Sequence, residues 1–420
     1  MLWTHEAEVL VVGAGPVGLM SALMLAERGI AVEVIDEEQG PGQHNYALTL
    51  HPSSLKLLDD VGLGAGLLGE GVRVDTVALY DGQRHRASIR LDQLDAEFPF
   101  LLVLPRNALA AALEARLKEK KIKIHWGHRL ANLTMAGDHV AATVEKLGLD
   151  SGGYPIASSV FVVEKERVWK PRYLIGADGF HSAVRRRLHI PFDATSTPLS
   201  FAAVEIEGAA ERPGEARVVL GQDSTDVLWP LPSGRRRWSL QLHGQDEPNP
   251  NSPFVPFGQR TYPAVPDARV KSILQERAPW FEADPKVAWA AEVRFEPSLA
   301  RRFGQGRVWL AGDAAHVTGP VGVQSLNAGL HEAHDLASRL ARLLRSDGTE
   351  GLLEHYHDEW SAAWRQLMGL AAAPVLGAGS DTWVGENASR LLSCIPGLGE
   401  HLRRLGQQLG LEIPLPGPRG

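Results

Sequence analysis

The segment from residue 8 to residue 36 restricts the possible folds more than any other part of this 420-residue chain. It reads EVLVVGAGPVGLMSALMLAERGIAVEVID: two apolar runs joined by a glycine-rich turn and a helical stretch, which predicts a βαβ unit with a parallel strand pair. Gly13, Gly15 and Gly18 have the Gly-x-Gly-x-x-Gly spacing that lets a backbone approach a pyrophosphate at a helix N-terminus. Asp36 closes the second run, where an acid binds a ribose hydroxyl. The segment therefore predicts a dinucleotide-binding domain.

Two further apolar runs end in an aspartate beside a glycine. In YLIGADGFHSAVRRRL this residue is Asp178, and in GRVWLAGDAAHVTGPVGVQSLN it is Asp313. Ligands of open parallel sheets bind beyond the carboxyl ends of the strands, and an aspartate there accepts hydrogen bonds from sugar or polyol hydroxyls without being buried unpaired. NAD requires only the first of the three sites. A flavin dinucleotide, which adds a ribityl chain and a ring system, can use all three.

The remaining patterns predict a second sheet and a helical end. Short alternating runs over 74–97 predict strands outside the first sheet, RNALAAALEARLKEK predicts a helix, and the runs over 128–170 predict an antiparallel meander. Residues 188–293, rich in Pro, Trp and short β-type runs, predict a second sheet in which Trp229 and Trp238 pack in a core or line a pocket. After WLAGD the pattern is helical to the end of the chain.

The composition and the arrangement of residue types argue against nucleic acid as a partner, a membrane span and a metal site. The formal net charge of -7 disfavours nucleic acid, because binding to phosphate backbones requires clustered Lys and Arg. Cys394 is the one cysteine, so an internal disulfide is impossible and a cytoplasmic location is the expectation. No uninterrupted apolar run reaches the ~20 residues of a membrane span, and Cys394 lies in no metal-type spacing, so we expect neither a span nor a metal site.

Together, the three motifs resemble those of the FAD-dependent aromatic hydroxylases, the class A flavoprotein monooxygenases whose type member is p-hydroxybenzoate hydroxylase. The resemblance runs from residue 8 to about residue 345. It implies an α/β fold: a Rossmann-like FAD-binding domain of the glutathione reductase type, a β-sheet substrate domain and C-terminal helices. The FAD-binding domain is expected over 1–73, 98–187 and 294–345, the substrate domain over 74–97 and 188–293, and the helical region over 346–420.

The resemblance also implies which residues contact FAD. The first motif resembles the adenosine diphosphate site, Asp178 and Gly179 would lie near the pyrophosphate and help NADH or NADPH to approach, and Asp313 would bind the ribityl hydroxyls. Arg106, in LPRNALAAAL, matches a family position that contacts the flavin. The full set of expected cofactor-binding residues is Gly13, Gly15, Pro16, Val17, Gly18, Asp36, Glu37, Arg106, Asp178, Gly179, Arg185, Gly312, Asp313, Pro320, Gly322, Val323, Gln324, Ser325, Leu326 and Asn327.

The activity that the resemblance implies is monooxygenation. NADH or NADPH reduces the flavin, dioxygen forms a C4a-hydroperoxyflavin, and one oxygen atom enters an aromatic or polycyclic small molecule by hydroxylation or epoxidation. The cofactor performs this chemistry, while the protein supplies position, dryness and electrostatics. The expected catalytic residues are His44, Tyr46, Pro320 and Gly322. We expect a monomer or a homodimer.

The chain departs from the family pattern at several positions, and two alternative functions stay open. Glu37 follows Asp36 where members often carry Arg, Tyr46 stands where an Arg that contacts FAD is usual, and Val323 and Ser325 replace two glycines of the Pro-x-Gly-Gly-x-Gly loop. The loop changes motivate the first alternative, an FAD-dependent reductase or dehydrogenase of an isoprenoid-like substrate without oxygen insertion. The second is a non-enzymatic binder of the GDP-dissociation-inhibitor type, against which the three retained aspartates argue.

Overall fold

The computed structural model describes residues 7–41, 47–150, 160–243, 254–257, 260–282, 284–345, 351–377 and 381–414. Its strands are β1 (Val9–Val12), β2 (Val32–Asp36), β3 (Ala47–Leu50), β4 (Val72–Val74), β5 (Thr76–Asp81), β6 (Arg84–Arg90), β7 (Leu101–Pro105), β8 (Ile124–Trp126), β9 (His128–Ala136), β10 (His139–Asp150), β11 (Val160–Trp169), β12 (Tyr173–Gly176), β13 (Phe192–Ala194), β14 (Leu199–Glu207), β15 (Glu215–Leu220), β16 (Thr225–Leu231), β17 (Arg235–Leu242), β18 (Phe254–Phe257), β19 (Arg260–Pro263), β20 (Val287–Phe295), β21 (Ser298–Ala300), β22 (Gly304–Gln305), β23 (Val308–Leu310), β24 (His316–Val317), β25 (Val375–Leu376) and β26 (Leu411–Glu412).

The helices of the described residues lie between these strands and after them. They are α1 (Pro16–Glu27), α2 (Pro52–Asp59), α3 (Gly64–Glu70), α4 (Arg106–Glu119), α5 (Ala183–Arg187), α6 (Asp267–Arg277), α7 (Gln324–Leu344), α8 (Leu352–Leu367), α9 (Thr382–Glu386), α10 (Ala388–Leu392) and α11 (Gly399–Gln408). Single 3₁₀ turns cover Leu91–Gln93, Pro232–Gly234 and Gly312–Ala314.

The central sheet carries the predicted βαβ unit. Its strand order is β22-β23-β12-β1-β2-β8, and all neighbours are parallel except β22 and β23. Strand β1 lies between β2 and β12, with Val9 opposite Val32 on one side and Tyr173 on the other. Its four residues are fully or almost fully buried, as expected for a strand covered on both faces. The α/β fold class is confirmed, and the three predicted motifs all begin at carboxyl ends of this sheet.

A second, seven-stranded sheet has the order β20-β14-β17-β16-β15-β5-β6. It combines β5 and β6, from the predicted 74–97 segment, with strands from the predicted 188–293 segment. One face packs against α6 in a core of its own, which contains the fully buried Trp238. Trp229, on the neighbouring strand, belongs to the larger core on the other side. The exact domain boundaries stay a prediction.

Two smaller predictions have opposite outcomes. The meander is confirmed, because β9, β10 and β11 form an antiparallel sheet. The prediction of helix to the end of the chain is wrong at three short strands: β24 pairs with β21, and β25 pairs with β26. Two-residue strands carry too little periodic pattern to be read from sequence. None of the helices in the described ranges combines the length and the apolar character needed to cross a membrane.

Candidate functional site

One cavity of about 1580 Å³ lies between the two large sheets. Its size exceeds the roughly 300–1,000 Å³ of an ordinary ligand pocket, so it has room for a dinucleotide and a second molecule. The glycine turn with Asp36 and the two motifs that contain Asp178 and Asp313 all reach this cavity. The predicted cofactor residues on its wall are Gly13, Gly15, Asp36, Glu37, Asp178, Gly179, Asp313, Pro320 and Val323.

The glycines of the first turn serve different purposes. Gly13 has a left-handed φ of 106°, and a Cβ there would overlap the carbonyl oxygen of Ala177. A Cβ on Gly18 would overlap the carbonyl oxygen of Gly13. By contrast, a Cβ on Gly15 would meet no protein atom within 4 Å, because Gly15 faces the cavity. Two glycines are therefore required by the turn itself, whereas the third leaves room for a ligand. Pro16 is the first residue of α1, where proline is favoured.

Asp36 holds the first turn and also reaches the cavity. Its Oδ2 accepts a hydrogen bond from the Ala14 amide at 2.6 Å, and its Oδ1 accepts one from the Glu38 amide at 2.9 Å. A carboxylate oxygen can accept more than one hydrogen bond. The same side chain can therefore bind a ribose hydroxyl while it fixes the turn.

Asp178 carries an unused acceptor at the second motif. Its Oδ2 accepts a hydrogen bond from the Val184 amide at 3.1 Å. Its Oδ1 is buried and has no hydrogen-bond partner in the described part of the chain, and burial raises the pKa of the carboxyl group. A buried acceptor without a donor is costly. A ligand hydroxyl or amide in the adjoining cavity would remove that cost, so this observation fits a bound cofactor.

Arg185 connects the second and third motifs rather than lining the cavity. Its guanidinium donates to the carbonyl oxygens of Ala314 and Phe180, both at 2.7 Å. It also lies 3.8 Å from the ring centre of Phe192. Burial is the main reason that its pKa is lowered. These contacts hold the turn that presents Asp313.

A buried network behind that turn was not predicted. Glu332 accepts hydrogen bonds from the Gly312 amide at 2.8 Å and from Trp364 Nε1 at 2.6 Å. His316 Nε2 lies 2.9 Å from the same carboxylate, and its ring stacks on Trp364 at 3.7 Å between centroids. Asp313, at the front of the turn, is exposed on the cavity wall. Glu332 lies among other charged residues in LHEAHDL, so no sequence signal distinguishes it from a surface carboxylate.

In the loop between Asp313 and α7, Val323 and Ser325 replace two glycines of the family pattern, but the backbone at Val323 keeps a conformation typical of glycine. Val323, directly before α7, has φ 52° and ψ 39°. This left-handed conformation is unusual for a β-branched residue. Ser325 Oγ accepts a hydrogen bond from the Thr318 amide at 3.1 Å, which ties together the two ends of the loop. The side chain of Val323 reaches the cavity.

Three other predicted loop residues, Gly322, Gln324 and Asn327, contact segments that are distant in the sequence. Gln324 Nε2 donates to the Ile395 carbonyl at 2.6 Å, and a Cβ on Gly322 would overlap the Ser393 carbonyl oxygen. Asn327 donates to the Thr49 carbonyl at 2.9 Å. The side chains of Gln324 and Asn327 are buried and fix the loop from behind. Leu326 packs against the main core, and Val17 fills the space beside Gly312 and Gly329.

Three predicted residues are not characterised by the structure. His44 and Tyr46 lie outside the described residues. Helix α4 begins at Arg106, whose side chain is also outside the described part.

The second sheet supplies the opposite wall of the cavity. Phe201, Trp229 and Phe295 make this wall aromatic, and Tyr262, from the separate β18–β19 hairpin, adds a fourth ring to the cavity lining. Arg237 adds a buried cation, which forms a hydrogen-bonded ion pair with Glu205. By its sequence pattern the RRR run over 235–237 is typical of solvated surface charge, but Arg237 is buried and lines the cavity. This wall can hold a flat aromatic molecule against the flavin-binding side.

Comparison with known proteins agrees with this geometry. The model of a family described as FAD binding domain matches residues 6–371. The chain belongs to this family. The resemblance to class A flavoprotein monooxygenases and the prediction of FAD as cofactor are both confirmed, and the cavity of this FAD-binding protein has the glycine turn and the acceptors that such a ligand requires.

Similar proteins are named as oxygenases. The 6-methylpretetramide 4-monooxygenase of Streptomyces rimosus is 32% identical over 84% of this chain and 58% of its own length. Among solved structures, p-nitrophenol 4-monooxygenase from Pseudomonas putida has a TM-score of 0.71, at 20% identity over 96% of both chains. Aklavinone-11 hydroxylase, in complex with FAD and aklavinone, has a TM-score of 0.70, at 22% identity over 95% of this chain and 73% of that chain. The chain thus spans less than two thirds of the first relative's length, and the two structures establish the fold alone.

Proposed function

We propose that the chain is a monooxygenase that uses FAD and NADH or NADPH to hydroxylate or epoxidise an aromatic or polycyclic small molecule. The observation that carries the proposal is the shared cavity, where flavin-binding motifs face an aromatic wall of the second sheet. The names of similar proteins favour oxygen insertion over the two alternatives, which are an FAD-dependent reductase or dehydrogenase and a non-enzymatic binder. Dioxygen is the second substrate in this proposal, and the oligomer is a monomer or a homodimer.

Each motif has a proposed role toward FAD. Asp36 binds the adenosine ribose, and the amides at the start of α1 face the pyrophosphate, where the helix dipole favours negative charge. Asp178 accepts a hydrogen bond near the pyrophosphate, and Asp313 binds the ribityl chain. Bound FAD supplies hydride acceptance from the nicotinamide and activation of dioxygen. The amides at the start of α7 would stabilise negative charge on the flavin ring.

The second sheet has the proposed role of positioning the substrate. Phe201 and Trp229 offer apolar surface for an aromatic ring, and their burial keeps water away from the reacting centre. Arg237 favours a substrate with a negatively charged or strongly accepting oxygen at that end. Glu205 holds the guanidinium in place. A cytoplasmic location is also proposed, in keeping with the buried free thiol of Cys394.

The reaction can be tested with labelled oxygen. Protein reconstituted with FAD is supplied with NADPH or NADH, ¹⁸O₂ and a panel of mono- and polycyclic phenols. We expect oxidation of the nicotinamide and a product that contains one ¹⁸O atom, detected by mass spectrometry. Transformation of a phenol without incorporation of ¹⁸O would contradict the proposal and favour the reductase.

Two tryptophans test the proposed substrate wall. Trp229 lines the cavity, whereas Trp238 packs in the separate core behind the sheet. Trp229→Phe should change the relative kcat/KM values among the phenols several-fold, because it reshapes the wall. Trp238→Phe serves as the matched control and should leave the order of preference unchanged. Equal shifts in both variants would contradict the assignment of this wall.

A further inference from the structure

The ends of two neighbouring strands stay together where they reach the cavity. Strand β8 runs parallel to β2, and Trp126 is opposite Asp36 in their register. One residue further on, the Gly127 amide donates to the Glu38 carbonyl at 2.7 Å, so the two segments remain paired beyond the sheet. The next residue, His128, lines the cavity together with Asp36. His128 therefore lies on the same side of the cavity as the ribose-binding acid.

The hydrogen bond of His128 determines what its ring can recognise. Nδ1 lies 2.8 Å from the carbonyl oxygen of Trp126. A carbonyl oxygen only accepts, so Nδ1 carries the proton, and Nε2 of the neutral ring is an acceptor. Nε2 has no hydrogen-bond partner among the described residues. Burial lowers the pKa of His128, which keeps the ring neutral near neutral pH.

We propose that His128 recognises the adenine of FAD, with Nε2 accepting a hydrogen bond from the 6-amino group. The proposal rests on FAD binding with the adenosine ribose at Asp36, because the base then lies at the same end of the cavity. Leu130 and Leu133, both almost fully buried, continue the wall beyond His128 and provide apolar surface for a planar base. Hypoxanthine, in which a 6-oxo group replaces the amino group, would place an acceptor against an acceptor.

The test is a titration of the apoprotein with three flavins, followed by flavin fluorescence. They are FAD, its hypoxanthine analogue, and FMN, which lacks the adenylate. The wild-type protein should bind FAD about tenfold more tightly than the hypoxanthine analogue, the usual effect of one good hydrogen bond. His128→Phe keeps an aromatic ring without an acceptor and should reduce this ratio to less than about twofold. His128→Gln, whose amide can turn to accept from adenine or to donate to hypoxanthine, should also lower the ratio but should keep more of the affinity for FAD than His128→Phe does.

A second histidine provides the matched control. His139 lies on the same small sheet, at the start of β10, but not on the cavity wall. His139→Phe should keep the wild-type ratio. An equal ratio in wild type and His128→Phe would overturn the proposal, and so would an equal loss of FMN affinity, which would assign His128 to the fold alone. A wild-type protein that binds none of the flavins would instead overturn the FAD assignment.

Discussion

The turn over Gly13–Gly18 and the loop over Gly312–Asn327 both present backbone to the same cavity, but different interactions hold them. In the turn, missing side chains create the shape, since Gly13 and Gly18 pack directly against carbonyl oxygens. In the loop, Val323 adopts a left-handed conformation, and side chains bonded to remote segments hold the backbone. The backbone shape of the turn is determined by its own short sequence, because it requires glycines at fixed positions. The shape of the loop depends on contacts with distant segments and therefore on the whole fold.

The largest expected effect tests the packing of the turn. Gly18→Ala places a Cβ where the Gly13 carbonyl oxygen lies, and neither backbone can move without displacing α1. We expect a loss of about 3 kcal/mol or more in the free energy of unfolding, measured by chemical denaturation. Gly15→Ala is the control, because its Cβ meets no protein atom within 4 Å. It should keep the stability but weaken FAD binding. Equal destabilisation by both would break the distinction between the two glycines.

Asp313 tests the ligand side of the loop. Asp313→Ala removes an acceptor that is exposed on the cavity wall. Loss of charge-assisted hydrogen bonds costs about 1.5–3 kcal/mol, so the Kd for FAD should rise roughly 10- to 150-fold. Fluorescence titration of the apoprotein measures this change. Asp193→Ala, at a surface carboxylate paired with Arg301, is the control. An unchanged Kd for Asp313→Ala would remove Asp313 from the cofactor site.

The same contrast explains which parts of the fold and of the site can be predicted from the sequence. The βαβ unit and its acid are contained in 29 consecutive residues, from 8 to 36, so local pattern and turn chemistry suffice. The roles of Glu332 and Asn327 were not predictable, because their partners lie far away in sequence: Glu332 binds Trp364, and Asn327 binds Thr49. Arg237 was likewise not predicted as a cavity residue, since the sheet register decides which side of a strand faces the cavity.

As the pH falls, acid should destabilise the region around the 312–327 loop at a higher pH than it affects the turn over 13–18. Burial lowers the pKa of His51, which contacts the Gly322 carbonyl, from its ordinary 6.5 to about 3. The unfolded chain therefore binds a proton below pH 6.5 that the folded chain does not bind until the pH approaches 3. Stability is full above that range and falls as the pH drops through it. His331, with a pKa lowered to about 4, adds to the loss, whereas residues 8–36 contain no histidine.

Denaturation at two pH values measures this effect. Between pH 7.5 and pH 5, His51 alone should lower the free energy of unfolding by about 2 kcal/mol. His51→Gln should lose less stability over this range than the wild type, while His355→Gln, at an exposed position of α8, should lose as much. If His51→Gln responds to acid as the wild type does, the acid sensitivity does not originate at the loop.

Val323 gives the smallest effect and the most direct test of how the loop is held. Its left-handed backbone costs a β-branched residue about 1–2 kcal/mol, and glycine would remove that cost. Glycine in turn adds about 0.5–1 kcal/mol of unfolded-chain entropy, so Val323→Gly should raise stability by no more than about 1.5 kcal/mol, or about 2 °C in Tm. Val317→Gly, at a cavity-lining valine in β24, relieves no such strain and should lower Tm. A fall in Tm for both variants would mean that the side-chain contacts of Val323 outweigh its backbone strain, and the loop would then resemble the turn in being built from its own residues.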